Sequence, residues 1–92
     1  MVRAHSQQQL TELLRRGEEV FERDVRSKIT DADPQSYLLI DINTGDFEVD
    51  ADSDAASERL RERRPEALIY FRRVGSDTVH RFGILSAPET AE

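Results

Sequence analysis

Two clusters of charged side chains are the chain's main candidates for chemistry. Asp46, Glu48, Asp50, Asp52 and Asp54 form an acidic ladder at two-residue spacing. Arg59, Arg61, Arg63, Arg64, Arg72, Arg73 and Arg81 form a basic set. Read as a calcium loop, Asp50, Asp52 and Asp54 fit the first three ligand positions, but the required glycine is Ala55 and the bidentate acid is Arg61. A solvated strand face running into a helix start accounts better for the ladder, and no metal is expected. With Tyr70 and Phe71, the arginines suggest an RNA surface. The acids between residues 41 and 58 offset them, and no aromatic RNA-binding signature is present. Mutual pairing of the acidic and basic halves, within or between protomers, is the expectation.

Catalytic candidates are sparse. Asn43-Thr44-Gly45 has the shape of an Asp-Thr-Gly motif without the carboxylate, and a turn explains it. Asp41 is expected at most to pair with an arginine. His5 falls in a frayed terminus and His80 on an edge strand, so an Asp41–His80 enzyme ranks last. Gly-rich phosphate loops, Gly-x-Ser-x-Gly and His-Glu-x-x-His are absent, as is cysteine. Thiolate catalysis and disulfides are thereby excluded. No catalytic residue and no cofactor is assigned.

The elements that position these groups centre on Tyr37–Asp50. Leu38, Ile40 and Ile42 alternate on one face, and Phe47 and Val49 alternate after the turn, the pattern of a β-hairpin. Burial selects the register with Ile42 opposite Phe47 and Ile40 opposite Val49, because a one-residue slip would mix acids and hydrophobes. Tyr37 and Leu39 make the first arm apolar on its second face as well, so it reads as an interior strand.

Before the hairpin, Ser6-x-x-Gln9 is a capping box. Leu10, Leu13, Leu14, Gly17, Val20, Phe21 and Val25 then trace one amphipathic helix of about five turns. Glu12/Arg16, Glu19/Arg23 and Glu22/Arg26 stand four apart on its outer face, each pair contributing about 0.3–0.5 kcal/mol. Ile29 is expected to tuck under the sheet, and Pro34 marks a connecting loop. Asp52-Ser53-Asp54 opens a second helix with Ala56 and Leu60 inward, ending near Arg63 before Pro65. Ala67–Phe71 is a second interior strand, Gly75-Ser76-Asp77 a turn, and Thr78–Phe82 an edge strand guarded by Arg72, Arg73 and Arg81.

The expected fold is α+β: a two-layer αββαββ domain over residues 6–85. Its sheet is four-stranded, mainly antiparallel and ordered 2-1-3-4, with both helices on one face and a right-handed crossover. Residues 86–92 read as a disordered tail. A single modest core suits 92 residues. The net charge of −6 opposes general nucleic-acid or anionic-membrane binding. The N-terminus lacks the apolar core of a secretory signal, so a cytoplasmic location is expected.

The string Asp41-Ile42-x-Thr44-Gly45-Asp46-Phe47-Glu48-Val49-Asp50 resembles a family of small uncharacterised bacterial proteins. It is preceded by Arg16-Gly17-Glu18-Glu19-Val20-Phe21-Glu22 and closed by Arg73-Val74-Gly75 and His80-Arg81-Phe82-Gly83. The resemblance covers most of residues 13–83 and implies no activity. It implies a small antitoxin-like or accessory partner encoded beside another gene. With the open sheet face expected to carry Tyr37 and Leu39, this points to a non-enzymatic protein-interaction module, self-associating as a homodimer or bound to a partner. The expected partner surface is Tyr37, Leu39, Arg63, Arg64 and Arg73. An RNA- or nucleotide-binding protein using the arginines is the alternative.

Overall fold

A computed structural model of the chain describes residues 7–75 and 83–85. The hairpin pairs strand β1 (Tyr37–Asp41) with strand β2 (Phe47–Asp50). Its register differs from expectation by two residues: Ile40 faces Phe47 and Leu38 faces Val49. Asp41 causes the shift. Its N–H donates to the Asp46 carbonyl at 2.8 Å, and its own carbonyl accepts the Gly45 N–H at 2.7 Å. Its carboxylate accepts the Asn43 N–H at 3.1 Å and the Thr44 hydroxyl at 2.9 Å. The turn therefore closes at Asp41, not Ile42. Gly45 takes φ 82°, which other residues rarely adopt. A shift of two preserves facing, so the apolar residues still share one side. Ile42 is released to donate its N–H to Leu68, at 3.0 Å, on the other side of β1.

Helix α2 (Ser53–Arg63), strand β3 (Ile69–Arg73) and strand β4 (Gly83–Leu85) follow. The sheet order is β2-β1-β3-β4, antiparallel throughout, as expected for this α+β class. Asp52 caps α2 by accepting the Asp54 N–H at 2.9 Å. The β3 strand begins two residues later than expected, because Ala67 is held in a turn by its N–H bond to Arg64. The Ser6 cap, His5, the Thr78–Phe82 strand with His80 and Arg81, and the tail from Ser86 lie outside the described residues.

The helices do not share a face. Leu38, Ile40, Ile42 and Tyr70 pack with Val20, Phe21, Val25 and Ile29 from the N-terminal helical segment. Leu39 and Ile69 pack with Ala56, Leu60 and Ala67 from α2 and the turn after it. Successive strand residues point to opposite sides, so Leu38 and Leu39 require separate covers. The arrangement is three layers, helix–sheet–helix. A strand apolar on both faces demands this, and the short link from Asp50 to Ser53 delivers α2 to the face that carries the hairpin acids. The open face expected to hold Leu39 is filled: Leu39 is fully buried beneath α2.

The first helical segment is also not one regular helix. Helix α1 (Gln7–Val20) widens into a π turn over Phe21–Val25 and tightens into a 3₁₀ turn over Arg26–Lys28. Val20 and Phe21 are adjacent yet both buried. The π turn, closed by the Arg26 N–H on the Phe21 carbonyl, re-phases the helix so that Val25 and Ile29 still reach the core. Of the expected four-apart ion pairs, Glu22–Arg26 is present at 2.6 Å. Arg15 instead bridges Glu12 and Glu19, while the Arg16 side chain reaches across to the hairpin turn and donates to the Asn43 side-chain oxygen.

Candidate functional site

The acidic ladder meets the basic set inside one molecule. Asp46, Glu48 and Asp50 project toward α2, where Arg59 and Arg63 stand one turn apart on the same side. Arg59 bonds Glu48 and Asp50, both at 2.9 Å. Arg63 bonds Asp46 at 3.0 Å and Glu48 at 2.6 Å. Arg64 reaches Asp46 at 3.4 Å. The Arg63 guanidinium holds the Asp46 carboxyl below its ordinary pKa. Burial pushes Glu48 up, but Arg63 and Arg59 together outweigh it and leave it lowered. Asp50 is lowered by the Asp52 N–H and then by Arg59. Among the described residues no cluster of three or more metal-ligating side chains occurs.

The expected partner residues separate. Arg73 lies over the Tyr37 ring, 4.5 Å from its centre, and donates to the Tyr37 hydroxyl at 3.0 Å and the Gln35 carbonyl at 2.5 Å. Arg63 and Arg64 belong to the clamp on the acids. Leu39 lies buried in the α2 core. Asp41 pairs with no arginine in its described bonds and serves as the turn's acceptor.

A different region carries more binding character. Arg72, expected to guard an edge, is 5% exposed on the interior strand β3. Its guanidinium stacks 4.1 Å from the Phe21 ring centre and reaches the Glu18 carboxylate at 3.4 Å. The Tyr70 hydroxyl donates to the same carboxylate. Burial first, and Glu18 second, push the Tyr70 hydroxyl well above the ordinary phenol range. Tyr70 and Arg72 share the α1 side through strand alternation, and a Gly17 with no side chain lets the Tyr70 ring lie against the helix.

Beside this trio runs a groove of about 940 Å³ between the helical segment and the loop from Ile29 to Pro34. Leu14, Phe21, Ile29, Ala32 and Val74 supply its apolar lining, and Arg15, Glu22 and Arg26 its charged rim. The π turn contributes Phe21 and Glu22 to the wall. Apolar lining with both signs of charge at its border suits docking of a mixed apolar and polar ligand. Strand parity was the one sequence signal for Arg72: counted from Tyr70, it falls beneath the α1 stripe. The loop's return against Val74 and Gly75, through N–H bonds to Ser36 and Pro34, had no sequence signal.

Comparison with protein-family models, with curated proteins and with solved structures finds no match to this chain.

Proposed function

We propose that the chain is a non-enzymatic protein-interaction module that receives a segment of a partner protein in the groove along the π turn. The observation carrying this reading is the groove itself: apolar at its base, charged at its rim, and lined by residues from the helix, the loop and β3. The accessory-partner role in a two-gene bacterial system is part of the same proposal and rests on the sequence resemblance. The covered sheet face removes one motive for self-association, so a distinct protein partner is favoured over a homodimer. RNA binding is disfavoured because Arg59, Arg63 and Arg64 all engage acids of the same chain.

The test compares immobilised wild type with Thr30→Trp, which places an indole in the groove from its exposed rim. A protein captured from the source cells by wild type and lost with Thr30→Trp, at unchanged circular dichroism, supports the reading. Equal capture by both, or capture by neither, removes it.

A further inference from the structure

The outer edge of β2 has been closed by side chains of α2. Antiparallel pairing alternates residues whose backbone groups face the partner with residues whose groups face away. The Asp41–Asp46 bond at 2.8 Å fixes the phase. Glu48 and Asp50 therefore turn their backbone toward β1, and Phe47 and Val49 turn theirs outward. Three of those four outward groups are engaged, the Val49 N–H being the fourth. The Phe47 N–H donates to the Asp46 carboxylate at 2.9 Å. The Phe47 carbonyl accepts from Arg63 at 3.3 Å, and the Val49 carbonyl accepts from Arg59 at 3.5 Å. The same two guanidiniums hold the carboxylates of Asp46, Glu48 and Asp50. Each planar fork thus spans a carboxylate and an edge carbonyl, which a point-charge ammonium on a flexible stem does less well.

Without those forks the edge suits a second copy of itself. Two β2 strands running antiparallel about Glu48 set Phe47 of each against Val49 of the other. That continues the half-buried apolar face across the junction. The same register puts Glu48 opposite Glu48, where like charges directly across a strand pair are unfavourable. We infer that Arg59 and Arg63, with Glu48, hold the β2 edge shut against pairing with a second copy of this chain. An unguarded edge is a template for such pairing.

The experiment measures molar mass by light scattering for the full chain and for Arg59→Gln/Arg63→Gln/Glu48→Gln. Glutamine keeps helix propensity, so α2 persists. The expected result is twice the wild-type mass. Adding Val49→Pro returns it to the wild-type value, because the lost N–H points away from β1 and proline is tolerated there. An unchanged mass at intact circular dichroism overturns the inference. So does a doubled mass that survives Val49→Pro, since the association then uses another surface. Should the triple variant fail to fold, Arg59→Lys/Arg63→Lys/Glu48→Gln retains the two positive charges of α2 while losing the forks and the Glu48 charge, and is read by the same outcomes.

Discussion

Gly17 lies against the ring of Tyr70 so closely that a Cβ there would fall 2.3 Å from the ring's Cγ. Helix propensity alone favours alanine at this position by about 1 kcal/mol. Overpacking opposes it by about 1–3 kcal/mol, and here the contact is with the body of a buried ring, which cannot swing aside. Gly17→Ala is expected to lower stability in urea unfolding by up to about 2 kcal/mol, the difference of those two effects. A more stable Gly17→Ala variant would show that α1 does not press on β3.

Leu39 distinguishes a three-layer arrangement from a two-layer one. Fully buried against Ala56, Leu60 and Ile69, its replacement by alanine is expected to cost about 2–5 kcal/mol. On an open sheet face the same change would stay within about 0.5 kcal/mol. Chemical denaturation of Leu39→Ala reads the difference directly.

Acid should weaken the α2 clamp. Asp46 and Glu48 have folded pKa values below their unfolded ones. Their contribution is therefore complete above the unfolded values and is lost as pH falls through the folded ones, below about pH 4. The arginines are 43% exposed, so solvent screening keeps the contribution of each pair small. The urea midpoint of Glu48→Gln is expected to fall less steeply than wild type between pH 5 and pH 3, ranges set by these pKa values. Parallel pH profiles for the two proteins would contradict the clamp.

Alkali acts through Tyr70. Its hydroxyl is raised in the folded state by burial and by Glu18, so the fold binds this proton more tightly than the unfolded chain. Stability from it is complete below about pH 10 and drains as pH rises further. Ultraviolet titration should show the Tyr70 phenolate forming only above the ordinary phenol range, or together with unfolding. Tyr70→Phe removes a hydrogen bond to a charged acceptor and is expected to cost about 1.5–3 kcal/mol. A Tyr70 that ionises as an ordinary phenol in the folded protein would refute its bond to Glu18.

The hairpin, the order of the strands and the limits of α2 were legible because each rests on a local signal. Alternation fixed which of Leu38–Val49 face together, and Asp52 and Pro65 bracket the second helix. The turn's length was not legible, since parity is identical for registers two residues apart and only Asp41's four bonds choose between them. The helices' placement followed from Leu39, whose apolar neighbours were read as an open face when they required a second cover. The candidate groove was least legible. It depends on Arg72 being an interior strand residue and on the helix changing its winding at Phe21, neither of which a regular 3.6-residue period announces.

That change of winding makes one spot of the segment unlike the rest in the length changes it tolerates. Were the turn to tighten into a regular α-helix with all its residues kept, every later side chain of the segment would rotate by about 100° around the axis. Val25 and Ile29 would leave the sheet, and the groove's wall would turn with them. Removing a single residue between Phe21 and Val25 instead converts the bond from the Arg26 N–H to the Phe21 carbonyl into an ordinary α-helical one and leaves the later residues facing as before. Homologous chains that keep the groove can therefore drop one residue across this turn, a loss that would rotate the core face anywhere else in the helix.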